Sequence, residues 1–458
     1  DPRQGLRTVR PLGKDKAVLE YTEAQRSAIA CVDRNLQIIA CAGSGKTDVV
    51  SRRIAELLLL PDVRPANIVA FTFTEKAAAE LKDRVLRRAQ DAGGSTLGLA
   101  EMFIGTMHAY CLDILQRHVP ETFRYRVLTE VTNRLFIDRH SRESGLTTCP
   151  VTSAKVAHLR RYQDSKLYQS VLSLLREDDV VDDAVPAGVW ESFTQYIQLL
   201  GKKSYFDYTA MIQLAVELLE SEDDPVADMI RGHVHGDLKY LVVDEYQDVN
   251  PLQERLIRAL TAHGANICVV GDDDQTIYQW RGSDVGNILT FADRYDDVEK
   301  VFLADNFRSS RGVVDLGRTV AESLPLGARL PKEMAAAGHQ DWARGDLLAL
   351  SFDTPKAEAS WMCDRMEELR GLAFTDAPGG EPRGLTWSDF AVLFRSVARD
   401  ADPLVEELRR RNIPYVVKGL NRLFDSAEIQ AVVTVFAYLV GEVGTQTVQQ
   451  AWEDAQLV

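Results

Sequence analysis

The residues best suited to chemistry are Lys46 and Thr47 near one end of the chain and Asp244 and Glu245 near its middle. Lys46 and Thr47 close the run Ala40-Cys41-Ala42-Gly43-Ser44-Gly45-Lys46-Thr47. Small residues at Ala42, Gly43, Ser44 and Gly45 let backbone N–H groups close around a chain of phosphates. Lys46 would then reach the β- and γ-phosphates, and the Thr47 hydroxyl would hold Mg²⁺. Ala40 stands where the general pattern has its first glycine. The plain alternative is a Gly-rich turn carrying a solvated lysine. Asp244 and Glu245 end the apolar run Leu241-Val242-Val243. In a phosphate-loop fold the first acid at such a strand end holds Mg²⁺, and the second orients and deprotonates an attacking water. A turn can also use paired acids. A turn does not explain a hydrophobic strand running straight into Asp244-Glu245-Tyr246-Gln247-Asp248.

These residues need elements to hold them. Leu36-Gln37-Ile38-Ile39 reads as a buried strand, and apolar positions over 48–58 recur at helical spacing, so the loop lies between strand and helix. A helix N-terminus adds the positive end of its dipole to the phosphate site. Tyr21-Thr22-Glu23-Ala24-Gln25 opens an earlier helix, with Thr22 as N-cap and Gln25 in a capping box. Gln25 is either that cap or an amide that reads adenine, because an amide both donates and accepts. Ile68-Val69-Ala70-Phe71-Thr72-Phe73-Thr74 reads as a strand, followed over 75–89 by a helix with a solvated basic face. Ile104-Gly105-Thr106-Met107-His108-Ala109-Tyr110 follows, and a lone histidine such as His108 is more often structural than catalytic.

Residues 111–205 carry no nucleotide motif, look mainly helical and read as an inserted domain. Ile267-Cys268-Val269-Val270 is a third strand, ending in Gly271-Asp272-Asp273-Asp274-Gln275. Beyond it, Tyr278, Trp280 and Arg281 supply two stacking rings and a cation, a set that suits single-stranded nucleic acid. Core aromatics explain the rings equally well. Further strands are expected at 298–303, 346–352 and 389–394, with helices between. Strands alternating with helices in both halves argue for open α/β sheets.

The 458 residues suggest two to four domains, and 45% apolar with 26% charged content is that of a soluble globular chain. A net charge of −15 does not advertise nucleic-acid binding, although a groove can be basic on an acidic protein. The six cysteines are scattered without metal-ligand spacing, which argues against zinc and against a disulfide scaffold and fits a reducing compartment. Neither a signal peptide nor a spanning segment is visible; the longest apolar run, 431–440, is too short to span and reads as a buried helix. Because the sequence opens on Asp1 rather than Met, natural residues are expected to be missing from an end.

Taken together, these stretches resemble the UvrD/Rep family of superfamily 1 DNA helicases. The resemblance covers about 21–428 and rests on Ala42-Gly43-Ser44-Gly45-Lys46-Thr47, Phe73-Thr74-Glu75-Lys76-Ala77-Ala78, Asp244-Glu245-Tyr246-Gln247-Asp248, the run 270–282, and Asn306-Phe307-Arg308-Ser309-Ser310, in the family's order. It implies an α/β chain with two RecA-like phosphate-loop domains on parallel sheets, ATP and Mg²⁺ between them and DNA across their top. The first domain would comprise 1–110 and 206–290, its helical insertion 111–205, and the second domain 291–458. By motif match Gln25 resembles the adenine-reading glutamine, Gln275 the γ-phosphate sensor, and Arg308 the arginine that crosses to the γ-phosphate. Phe307 stands where the family usually has a tyrosine stacked on adenine. Phe73, Tyr278 and Trp280 resemble rings that pack on DNA bases, with Thr106, His108 and Arg281 nearby; Met107 replaces an aromatic residue. After Glu428 the family continues through a second insertion and two more motifs not found here, so the second domain is expected to be incomplete.

The function this implies is an ATP-driven helicase or translocase of 3′-to-5′ polarity, acting on single-stranded DNA or a single-/double-strand junction in repair or recombination, with repair or recombination proteins as partners. The setting would be a bacterial-type cytoplasm, beside the nucleoid and away from membranes. The alternative is a nucleotide-switched DNA-binding subunit that does not unwind by itself. A GTPase-like switch is disfavoured by Gln25 and by the lack of a guanine-reading Asn-Lys-x-Asp.

Overall fold

Apolar runs without polar alternation fold here into strands covered on both faces. The computed structural model describes residues 21–92, 98–151, 157–178, 180, 185–222, 224–277, 284–325, 329–418 and 427–456. They fall into two units, one up to Trp342 and one from Ala343.

The first unit begins with α1 (Glu23–Ala30), β1 (Asn35–Ala40), α2 (Lys46–Leu57), β2 (Ile68–Phe71), α3 (Glu75–Asp91), β3 (Phe103–Gly105) and α4 (Met107–His118). A helical segment follows, with β4 (Arg126–Val127), α5 (Glu130–Arg139), α6 (Ser165–Glu177), α7 (Ala187–Lys203) and β5 (Tyr205–Phe206). The chain then returns through α8 (Tyr208–Glu220), α9 (Pro225–Asp237), β6 (Tyr240–Val243), α10 (Pro251–Thr261), β7 (Asn266–Gly271) and β8 (Val298–Leu303). Six strands form one sheet in the order β3-β2-β6-β7-β1-β8, and every pairing in it is parallel.

Period-two alternation divides each strand between two cores. Val69, Phe71, Leu241, Val243, Ile267 and Val269 face one layer with α4, α8, α9 and α10. Ile68, Ala70, Val242, Cys268, Val270, Leu36 and Ile38 face the other, with α1, α2 and α3. Burying each such aliphatic side chain contributes roughly 1.5–3 kcal/mol, so both layers are held mainly by area. The helices start where the sequence places caps. Thr22 and Gln25 make the full capping box of α1, and Thr74, Thr106 and Asp207 cap α3, α4 and α8 through their side chains.

The helical segment has its own core, from Leu128 through Tyr168, Leu172 and Tyr196 to Leu200. Its centre is polar: Arg176 is paired with Asp207 at 2.5 Å, and Tyr196 donates to the same carboxylate at 2.7 Å. Helix α4, expected within the insertion from residue 111, packs instead on the sheet through Tyr110, Cys111, Ile114 and Leu115.

Strand β8, expected to open the second region, pairs with β1 along its whole length and so closes the first sheet. The apolar stretches 346–352 and 389–394 form no strand, because neither has a ladder partner among the described residues. In the second unit Pro355–Leu369 packs on Asp402–Arg410 through Ala359, Cys363, Leu404 and Leu408. The apolar run at 431–440 is mostly the helix Ala427–Leu439, as expected, but it is not buried: Phe436 and Leu439 are exposed and only Ala431 is enclosed. No helix among the described residues is long and apolar enough to cross a membrane.

Candidate functional site

Apart from Gln25 in α1, the predicted motif residues among the described residues lie past the carboxyl ends of strands, the edge where open α/β sheets place ligands. The loop 41–45 follows β1, with Lys46 and Thr47 as the first residues of α2. In that loop Gly43 and Gly45 adopt φ of +69° and +84°, a region that costs a side chain steric strain. Space excludes a side chain too: a Cβ on Gly43 would lie 2.7 Å from Asn306 Oδ1. Gln25 packs beside Gly45, and its Nε2 donates to the Ser44 carbonyl at 3.0 Å while its Oε1 accepts from the Thr22 N–H. Its amide therefore both caps α1 and ties that helix to the loop.

Beyond β6, Asp244 and Glu245 meet the loop from the side. Glu245 Oε2 lies 3.2 Å from Lys46 Nζ. Gln247 Nε2 donates to the same oxygen at 2.7 Å. Glu245 has φ 51° and ψ 44°, a left-handed conformation uncommon for a non-glycine residue. Such strain costs on the order of 1–3 kcal/mol and recurs at functional sites. Burial, and then the Glu245 charge, push the Asp244 carboxyl up to about 6. The same two causes push Asp248 up to about 6. Asp248 Oδ1 is buried without a hydrogen-bond partner among the described residues. The acids are thus short of positive charge.

That deficit fits a divalent cation. Thr47, Asp244, Glu245 and Gln275 line one cavity, and a hydroxyl with a carboxylate is the hard oxygen set that Mg²⁺ prefers.

Beyond β7, Gln275 Nε2 donates to Asp272 Oδ2 at 2.5 Å. Beyond β8, the segment 306–308 lies against the loop: the Phe307 N–H donates to the Gly43 carbonyl at 3.0 Å, and Asn306 Oδ1 accepts from the Arg308 and Ser309 N–H groups. The side chains of Phe307 and Arg308 are exposed.

The remaining candidates lie beyond β2 and β3. Phe73 is 42% exposed. Thr106 is committed as the cap of α4, accepting from the Ala109 N–H, and its hydroxyl donates to Glu75 at 3.0 Å. His108 stands edge-on to Tyr208, ring centroids 5.3 Å apart, and burial lowers its pKa to about 4, so it is neutral at physiological pH. Phe73, Thr106 and His108 line a cavity with Asp244, Glu245 and Asp248, which joins the two groups of residues. Tyr278, Trp280 and Arg281 lie outside the described residues.

Sequence reading passed over Gln247, Asp272, Asn306 and Lys332. Gln247, Asp272 and Asn306 stand inside motif stretches, and their polar side chains next to strand ends were the available signal. Lys332 carries no such signal.

Residues 21–296 match the UvrD/REP helicase N-terminal domain, and residues 301–450 match the UvrD-like helicase C-terminal domain. The chain is 29% identical over 428 residues to an ATP-dependent DNA helicase PcrA of Leuconostoc citreum, covering 91% of this chain and 51% of that protein. It is 29% identical over 422 residues to the protein of the same name from Staphylococcus epidermidis RP62A, and 28% identical over 424 residues to that from Staphylococcus aureus Mu50. In both cases 90% of this chain and 53% of the relative are covered. The chain thus spans about half the length of the curated relatives it matches.

Proposed function

The chain belongs to the UvrD/REP helicase family, and on that premise we propose that it is a DNA-dependent ATPase. It moves along single-stranded DNA, or across a single-/double-strand junction, as a helicase or translocase of 3′-to-5′ polarity in DNA repair or recombination. In this reading the chain after α4 and up to about residue 205 is the helical insertion of a first RecA-like domain, and a second such domain begins after β8. The setting is a bacterial cytoplasm.

The observation that carries the reading is convergence. Lys46, Thr47, Asp244, Glu245 and Gln275 meet at one sheet edge, with 306–308 seated on the phosphate loop. Backbone N–H groups of 43–47 and Lys46 would bind the triphosphate. Thr47 and Asp244 would hold Mg²⁺, which would supply positive charge against the phosphates. Phe307 would lie on adenine, and Gln25, already tied to the loop, would offer its second amide hydrogen to the base edge.

Lys46 and Glu245 neutralise each other in this structure. A triphosphate competes for Lys46 and so frees Glu245 to act as a base. The water oxygen then bonds to the γ-phosphorus, the bond to the β-phosphate oxygen breaks, and the water proton passes to Glu245. Gln275 orients the γ-phosphate and Arg308 offsets charge as that bond breaks. Phe73, with Tyr278, Trp280 and Arg281, would carry the DNA bases.

The test is nucleotide turnover with and without single-stranded DNA, beside a strand-separation assay with 3′- and 5′-tailed duplexes. Turnover accelerated by DNA and abolished in Lys46→Ala is expected. Nucleotide and DNA binding without DNA-stimulated turnover would replace the motor with the nucleotide-switched binding subunit.

A further inference from the structure

The three aspartates after β7 are held by cations that the motif does not contain. The Lys332 side chain is 1% exposed, and its ammonium lies 2.6 Å from Asp272, 2.5 Å from Asp273 and 3.2 Å from Asp274. Arg329 grips Asp274 with two nitrogens at 2.8 and 3.0 Å, and the Leu330 N–H donates to Asp273 at 2.7 Å. Burial opposes the charge on Lys332, but the Asp272 and Asp273 carboxylates overcome it and raise the pKa to about 12. A buried ammonium among buried carboxylates is stable only when each is paired, and removing one partner strands the others.

Asp272 is the hub of this arrangement. Its carboxylate accepts from Lys332 on one oxygen and from Gln275 on the other. Its N–H donates to Gln247 Oε1 at 3.0 Å, and Gln247 donates in turn to Glu245. The chain of contacts therefore runs from Lys332 through Asp272 to Gln275, and through Gln247 to Glu245 and Lys46. Lys332 also stands three residues before Ala335–Ala336, which pairs in parallel with Asp305–Asn306, the segment that leads into Phe307 and Arg308.

We propose that Lys332 is a positioning residue for ATP hydrolysis, fixing Asp272 so that Gln275 and Glu245 are aimed at the γ-phosphate and attacking water. Arg329 supports it by holding Asp274. The inference rests on the ATPase reading above. It assigns Lys332 no contact with nucleotide, so its effect belongs in kcat and not in ATP affinity.

The experiment measures DNA-stimulated ATP turnover, binding of a fluorescent ADP and thermal unfolding for the full chain, Lys332→Met, Lys332→Arg and the double variant Lys332→Met/Asp273→Asn. The double variant removes one cation and one carboxylate, so the cluster keeps its charge sum and the protein stays folded if the single variant does not. Misplacing catalytic groups by about 1 Å costs on the order of 10²-fold in rate, so Lys332→Met and the double variant are expected to lose about that much kcat with KM for ATP and ADP binding unchanged. Lys332→Arg is expected to recover most of it. Parent-level kcat in the double variant would overturn the proposal and leave charge balance as the sole role. So would equal losses in Met and Arg variants that track a fall in thermal stability. A parent that binds ADP but never turns over ATP with DNA would overturn the ATPase reading itself; turnover by the parent with no effect of Lys332 sinks only this inference.

Discussion

The two ends of the sheet's carboxyl edge are built differently. Past β1, β6 and β7 the functional side chains are interlocked: Lys46 with Glu245, Glu245 with Gln247, Gln247 with Asp272, Asp272 with Gln275 and Lys332. Past β2 and β3 they are open or structurally committed: Phe73 is exposed, Thr106 caps a helix and His108 is neutral against Tyr208. Phosphoryl transfer needs groups fixed before the reaction, because stabilising developing charge works only when dipoles need not reorganise. Stacking on a moving strand needs accessible rings that hold no single base. On the proposed function the interlocked end would be the hydrolytic one and the open end the one along which DNA slides.

The sharpest way to break this contrast is Glu245→Gln. The amide keeps the shape and can still accept from Gln247, but it cannot take the water proton. Hydrolysis should fall by roughly 10²–10⁴-fold, with ATP binding retained in a fluorescent-nucleotide titration. Equal loss of affinity would move Glu245 among the metal-holding groups.

Lys46→Ala should remove turnover and also the stabilisation that ligand binding confers on the folded state. Thermal unfolding with and without Mg²⁺-ATP reads this as a lost shift in Tm, while the nucleotide-free protein stays folded. A variant hydrolysing ATP at the parent rate would discredit the loop assignment.

Acidity sharpens the same end. Asp244 and Asp248 have carboxyls raised to about 6, above their ordinary value of 3.8. The folded state thus holds protons that the unfolded chain has released, and nucleotide-free stability should fall as pH rises through that window. On the proposed reading Mg²⁺-ATP meets the Asp244 carboxylate through its metal, which requires that acid to be ionised. Its Tm shift should therefore be larger at about pH 7 than at about pH 5; the opposite order would deny Asp244 the metal.

At the open end the effects are smaller. Phe73→Ala should weaken single-stranded DNA binding by about 1–3 kcal/mol, the range for one stacked base, with little change in Tm. Thr106→Ala should instead lower stability by about 1 kcal/mol, the worth of a lost helix cap, with DNA affinity nearly unchanged. A large DNA effect at Thr106 would mean that the Glu75 bond opens on binding and that this end is less committed than its geometry indicates.

What the sequence determined by itself is local in origin. The loop 42–47 between strand and helix, the capping box of Thr22 and Gln25, and the acid pair after Val243 are each encoded within a few residues. Backbone conformation and capping depend on immediate neighbours, so spacing reveals them. Strands β1, β2, β6 and β7 are legible as apolar runs, whereas the three-residue β3 is not. Tertiary structure alone decided the rest. The run 431–440 has the composition of a core helix, yet its surroundings leave Phe436 and Leu439 exposed. The stretches 346–352 and 389–394 have strand composition, but a strand exists only through a partner that its own residues do not specify. β8 looked like the start of another region until its pairing with β1 placed it in the first sheet. The left-handed backbone of Glu245 and the burial of Lys332 among Asp272, Asp273 and Asp274 depend on groups brought together from distant parts of the chain. Charge pairing in a buried place is set by three-dimensional proximity, which no local pattern of residues records.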